Sequence, residues 1–146
     1  MDSPILKVKR LDTRAKLPSR AHPGDLGFDL FALETVGVQP GQVVSAKTGV
    51  AFQFPEGWGA LVRPRSSQGK AGIHILGGVV DNGYTGQVVV MLYNTADPHS
   101  EGTVIYNAGD KIAQLVLVPV FPGTIQETSN LDQTDRGDKG FGSSGK

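Results

Sequence analysis

Cysteine is absent from this 146-residue chain, which excludes disulfides and thiolate metal ligation. The three histidines, His22, His74 and His99, have no mutual spacing that suggests a metal site, and they read as structural or surface residues. An excess of charge of either sign is also missing, since 14 Lys and Arg stand against 14 Asp and Glu. A protein that tracks a nucleic-acid backbone carries a basic excess, so any anion bound here is expected to be small and held at a local site. Nor does any apolar run approach the roughly 20 residues that span a bilayer. The short apolar patch within residues 1–10 is broken by lysines, so no secretory or transmembrane segment is expected. The chain reads as soluble and intracellular, cytoplasmic or otherwise, with no nucleic-acid and no membrane partner.

Room for long helices is scarce as well. The 20 glycines and 9 prolines are spread along the chain rather than pooled in one linker, and they leave few stretches longer than two helical turns. What remains is strand-like. Residues 5–11, 43–47, 49–54, 59–63, 87–93, 103–106 and 111–121 are rich in β-branched and aromatic side chains and bounded by Gly, Pro, Asn or Asp. The pattern predicts an all-β sandwich or barrel, with a helical turn only at residues 66–72 or around Leu131. The length fits one ordinary domain. Its one boundary falls where strands give way to a polar arm, giving a domain over residues 1–131 and an arm over 132–146.

That arm contains Arg136-Gly137-Asp138-Lys139-Gly140-Phe141-Gly142-Ser143-Ser144-Gly145-Lys146, which has no apolar periodicity and cannot pack as core. Its glycines and serines leave backbone N–H groups open to phosphate oxygens, Arg136 and Lys146 supply charge, and Phe141 offers a ring face for a flat base. A flexible Gly/Ser terminus is the competing reading, and the two are compatible in a segment that closes over bound nucleotide. Residues 140–146 spell G-x-x-x-x-G-K, but a P-loop needs a following Ser or Thr and then a helix. Arg136-Gly137-Asp138 matches an adhesion tripeptide, a coincidence common in three residues.

Four further glycine-punctuated clusters precede the tail. Ala21-His22-Pro23-Gly24-Asp25-Leu26-Gly27-Phe28-Asp29-Leu30 comes first. Arg63-Pro64-Arg65-Ser66-Ser67-Gln68-Gly69-Lys70 then gathers guanidinium, hydroxyl and ammonium groups as a triphosphate requires. Gly77-Gly78-Val79-Val80-Asp81-Asn82-Gly83-Tyr84-Thr85-Gly86 reads as a β-hairpin whose Asn82-Gly83 turn presents Asp81 and Tyr84 on either side. Ala108-Gly109-Asp110-Lys111-Ile112-Ala113-Gln114-Leu115 leads into an apolar strand.

In order, spacing and content these clusters resemble the five motifs of the trimeric dUTP pyrophosphatase (dUTPase) family over nearly the whole chain. The most specific pieces are Pro64-Arg65-Ser66, Gly78-Val79-Val80-Asp81 with Tyr84 and Gly86, Gly109-Asp110-Lys111-Ile112-Ala113-Gln114-Leu115, and Arg136-Gly137 with Gly140-Phe141-Gly142-Ser143. The resemblance implies a distorted jelly-roll-like β-barrel, a homotrimer with shared active sites, and Mg²⁺-dependent hydrolysis of dUTP to dUMP and pyrophosphate. Such a reaction limits uracil incorporation into DNA and supplies dUMP for dTMP synthesis.

Carried over residue by residue, the resemblance makes Asp81 the holder of the attacking water and the 3′-hydroxyl, and Tyr84 the platform under the deoxyribose that leaves no room for a 2′-hydroxyl. The main chain of Gly78, Val79 and Val80 pairs with the uracil edge. Arg65, Ser66 and Ser67 grip phosphates, and Gln114 stands near the α-phosphate and the water. Arg136, Gly142 and Ser143 close on the γ-phosphate as Phe141 covers the uracil. Mg²⁺ is held mainly by the triphosphate and waters. Asp29 reaches it through a water or else stabilises a turn. Standing alone, Asp81 reads as a turn-capping aspartate, Tyr84 as a cross-strand packing aromatic and Arg65 as a surface ion pair, and only the accompanying motifs reverse those readings.

Two departures lean toward the related dCTP deaminases. The family's second motif usually continues Ser-Gly-Leu-Ala where this chain has Ser66-Ser67-Gln68-Gly69, and its third commonly carries an acid where Asn82 or Gly83 stands. A deaminase, or a bifunctional deaminase and dUTPase, needs a glutamate on the next strand to handle the proton at the pyrimidine amino group. Met91 occupies that position, and a thioether shuttles no protons. A non-catalytic nucleotide-binding regulatory protein is the remaining alternative, opposed by the intact Asp81, Gln114, Arg136 and Phe141.

Overall fold

A computed structural model of the chain describes residues 2–143 and 145. Met1, Ser144 and Lys146 lie outside the described residues, and with them the Ser144 hydroxyl and Lys146 charge of the tail reading. The elements run β1 (Lys7–Arg10), β2 (Gly27–Phe31), β3 (Val36–Val38), β4 (Val43–Gln53), β5 (Trp58–Arg63), α1 (Ser66–Lys70), β6 (Ile73–Leu76), β7 (Val79–Val80), β8 (Gln87–Asn94), β9 (Val104–Tyr106) and β10 (Lys111–Pro119). One four-stranded sheet has the order β1-β4-β8-β6 and a second the order β2-β10-β5-β7, while β3 and β9 form a two-stranded ribbon.

Period-two alternation builds the core between the sheets. Along β8, Val88, Val90, Leu92 and Asn94 point inward while Val89 and Met91 face out. The three apolar ones meet Leu30, Ala46, Val62, Ile75, Ile112 and Leu115 in one buried cluster. Among the described residues the buried polar side chains are Thr48, Gln68 and Asn94, and their groups are paired. Thr48 Oγ1 donates to Val88 O at 2.6 Å. Asn94 Nδ2 donates to Val38 O at 3.0 Å and Gly102 O at 2.8 Å. The fold is all-β and jelly-roll-like as expected, with the two larger sheets facing each other rather than joining into one closed ladder.

The expected strands 43–47 and 49–54 are a single strand, β4, bent at Gly49 with φ +71° and a register shift between Lys47 and Ala51. A Cβ there would lie 2.9 Å from that of Ala15, so the bend requires glycine. Three strands, β2, β3 and β6, have no counterpart among the expected ones, and β7 was expected only as an arm of the 77–86 hairpin. β2 contains Gly27 and Asp29, β3 and β7 are only three and two residues long, and β6 is four residues that begin just after the helical turn, so none presents a long β-branched run. The helical turn expected at 66–72 is α1, whereas the Leu131 region forms no helix and leaves Leu131 86% exposed. From Val120 onward the described residues are exposed except for Gly140.

Candidate active site

The stretch read as a β-hairpin over residues 77–86 has a real turn, with Tyr84 N–H donating to Asp81 O at 3.1 Å, but its arms do not pair. β7 adds to β5, while β8 pairs with β4 and β6. The cause is Gly77-Gly78, both in left-handed conformations (φ +64° and +85°), which carry the chain from the edge of one sheet to the edge of the other. A Cβ at Gly78 would lie 2.5 Å from Val62 O, so the crossing runs against β5 too closely for a side chain.

Splayed arms leave a cleft of about 240 Å³, with Val62, Val79, Asp81, Tyr84, Val89 and Met91 in its walls. Val62 N–H donates to Gly78 O at 2.7 Å, which makes Leu61 and Val79 the non-hydrogen-bonded pair of this ladder. Val79 therefore turns its N–H and C=O toward the open edge of β7, where a flat amide-like edge can pair. Tyr84 OH donates to Gln87 O at 2.8 Å, and a Cβ at Gly86 would lie 2.7 Å from that hydroxyl, so the ring lies across a glycine. Asn82 Nδ2 donates to Pro55 O at 3.0 Å and Trp58 O at 2.7 Å, pinning the turn to the start of β5.

A second cleft, about 490 Å³ and open, is lined by Asp29, Arg65, Ser66, Ser67, Lys111 and Gln114 among others. Asp29 sits in a strand and not in a turn, which corrects its turn-stabilising alternative. Its carboxylate takes Arg65 Nε at 3.2 Å on one oxygen and Lys111 Nζ at 3.1 Å on the other. One carboxylate thus orders two cations at a mouth where hydroxyls also converge, an arrangement suited to phosphate. Gln114 lies opposite Asp29 on β2 and Arg63 on β5, and its Nε2 donates to Pro64 O at 3.0 Å. Gly27 makes room for it, because a Cβ there would clash with Gln114 Oε1. Among the described residues no group of three or more His, Asp or Glu is placed to hold a metal ion. Elsewhere, Asp12 is held down at about 2 by side-chain and backbone hydrogen bonds from Arg14, and neither residue lines these clefts.

Asp81, Tyr84, Gly78, Val79 and Val80 are thus brought together in one cleft, and Arg65, Ser66, Ser67, Gln114 and Asp29 in the other. The two share no lining residue. Arg136, Phe141, Gly142 and Ser143 join neither, and line a hollow formed by the tail itself. There Arg136 Nε donates to Lys139 O at 3.0 Å, and Phe141 holds φ +52° with its ring fully exposed. Lys111 is a cleft residue that the sequence did not single out for the site, although it lies inside the fourth cluster.

The family model described as dUTPase matches residues 13–145 of this chain. A deoxyuridine 5′-triphosphate nucleotidohydrolase of Gloeobacter violaceus is 41% identical over 150 residues and covers 99% of both chains. Its counterpart in Monkeypox virus is 38% identical over 145 residues, covering 99% of this chain and 93% of its own. Among solved structures, the dUTPase of Staphylococcus bacteriophage 80alpha with dUPNHPP superposes with a TM-score of 0.88 at 31% identity, over 97% of this chain and 98% of that one. A mutant dUTPase from phage phi11 of S. aureus, whose structure concerns coordination of a structural Mg(II) ion, matches with a TM-score of 0.79 at 31% identity, over 86% and 97% of the two chains.

Proposed function

Because the chain belongs to the dUTPase family, we propose that it hydrolyses dUTP to dUMP and pyrophosphate by attack of an Asp81-activated water on the α-phosphate. The observation that carries this reading is the pairing of a narrow cleft holding a carboxylate, a tyrosine ring and an open strand edge with a second cleft built from cations and hydroxyls. Hydrolysis at phosphorus is mostly positioning and charge neutralisation, so one base and several cations suffice without a covalent nucleophile. In this reading the main chain of Gly78, Val79 and Val80 reads the uracil edge, and Tyr84 packs under the deoxyribose. Arg65, Ser66 and Ser67 hold phosphate oxygens, and Gln114 orients the α-phosphate and water. Arg136, Phe141, Gly142 and Ser143 close the site.

When bound, Mg²⁺ supplies neutralisation of the phosphate charge, with the triphosphate as its main ligand and Asp29 as the carboxylate that would reach it through a water. Met91 in the wall of the first cleft offers no proton donor beside a pyrimidine amino group, which speaks against deamination. The substrate locates the protein with the nucleotide pool inside the cell, where the reaction lowers dUTP and supplies dUMP.

A panel of deoxynucleoside triphosphates with Mg²⁺ tests the reading. Pyrophosphate should be released from dUTP and not from dCTP, dTTP, dATP or dGTP. Ammonia released from dCTP would instead support the deaminase, and binding without turnover a regulatory protein.

Assembly as a homotrimer with shared sites is part of the same proposal. The two half-clefts share no residue within one chain, and Val43, Leu76, Val89 and Met91 expose apolar surface on the outer side of the first sheet. Sedimentation equilibrium should give three times the 15.4 kDa chain mass. A stable monomer with full activity would sink the shared-site arrangement.

A further inference from the structure

Gln68 is 3% exposed, an unusual burial for a polar side chain next to a solvent-open cleft. Its Oε1 accepts from Arg65 N–H at 2.8 Å, and its Nε2 donates to Ile112 O at 2.6 Å and Tyr106 OH at 3.2 Å. Arg65 N–H belongs to the peptide unit whose carbonyl, Pro64 O, accepts from Gln114 Nε2 at 3.0 Å. One peptide plane is therefore clamped from both sides by glutamine side chains. The circuit closes through β10, where Ile112 stands two residues before Gln114.

We propose that Gln68 is a positioning residue that fixes Arg65 and Gln114 in one rigid ring, so that the phosphate-gripping guanidinium and the amide beside the reacting phosphorus hold a single relative placement. Arg65 enters the ring through its backbone, and its guanidinium is oriented at the far end by Asp29 at 3.2 Å. Gln114 enters through its amide nitrogen, which leaves its Oε1 beside Gly27. An apolar side chain at position 68 would fill the same volume and leave three polar groups, Arg65 N–H, Ile112 O and Tyr106 OH, without this partner. The peptide plane would then be free to tilt. Displacement of a positioned group by about 1 Å is enough to cost on the order of a hundredfold in rate.

The inference rests on the dUTP-hydrolysing reading, and the experiment separates the two. The parent protein is first assayed with dUTP and Mg²⁺; a parent without turnover would count against that reading and not against the ring. With an active parent, Gln68→Leu should lower kcat about tenfold or more while inhibition by dUMP, whose uracil and sugar occupy the other cleft, stays within about threefold. Amide exchange supplies a readout independent of activity. Arg65 N–H should exchange slowly in the parent and faster in Gln68→Leu. A folded variant with kcat within about twofold of the parent would reduce Gln68 to a packing residue. If the variant does not fold, exchange in the parent decides, and an Arg65 amide as fast as an exposed one overturns the proposal.

Discussion

Asp81→Asn is expected to leave fold and nucleotide binding intact while lowering turnover of dUTP by about two orders of magnitude or more. The substitution changes neither size nor shape, and the turn that carries it is held by groups other than the side chain. Tyr84 N–H bonds to the Asp81 backbone oxygen, and Asn82 anchors the turn on Pro55 and Trp58. The carboxylate is exposed in the wall of the narrow cleft, where a water can sit against it. An amide in its place still accepts a hydrogen bond but takes no proton from that water. Pyrophosphate release under saturating dUTP measures the first effect, and calorimetric binding of a non-hydrolysable dUTP analogue the second. Turnover close to that of the parent would remove Asp81 from its role as base.

Removing residues 136–146 is expected to abolish most hydrolysis while barely moving the melting temperature of the empty protein. Arg136 and residues 137–143 are exposed apart from partly covered Gly140, and the Phe141 ring touches neither cleft. At about 25 cal/mol per Å² of apolar surface, a segment that buries so little contributes little to folding. On the proposed function its contribution is expected in the bound state, with Arg136 on phosphate and Phe141 over the base. Limited proteolysis checks this directly. Cleavage near Lys139 should be fast in the empty protein and suppressed once the analogue and Mg²⁺ are present. Equal protection in both states would mean that the tail is packed permanently and that Phe141 is no lid.

β5, β8 and β10 were legible because they are rich in β-branched and aromatic side chains and Gly, Pro, Asn or Asp mark their ends. β4 was split in two because Gly49 looks like a terminator, although here it serves a bend that stays within one strand. β7 was read as half of a hairpin because Asn82-Gly83 is a strong turn signal, and local sequence says nothing about which sheet each arm joins.

What the sequence determined by itself is the chemistry available: an all-β chain without cysteine or net charge, and five glycine-rich clusters whose order resembles one family. Residue types and spacing are local properties, and they survive reading along a line. Which groups meet was decided only in three dimensions. Asp29 and Lys111 lie far apart in the chain, yet strand pairing between β2 and β10 brings the Lys111 ammonium to the Asp29 carboxylate, where the Arg65 guanidinium also meets it. Gln68 looked like a departure from a motif until burial forced each of its polar atoms to find a partner. The narrow first cleft likewise depends on the left-handed turn at Gly77-Gly78, which moves the chain between sheets. Long-range pairing and the satisfaction of buried polar groups depend on the whole fold closing at once, and no single segment encodes them.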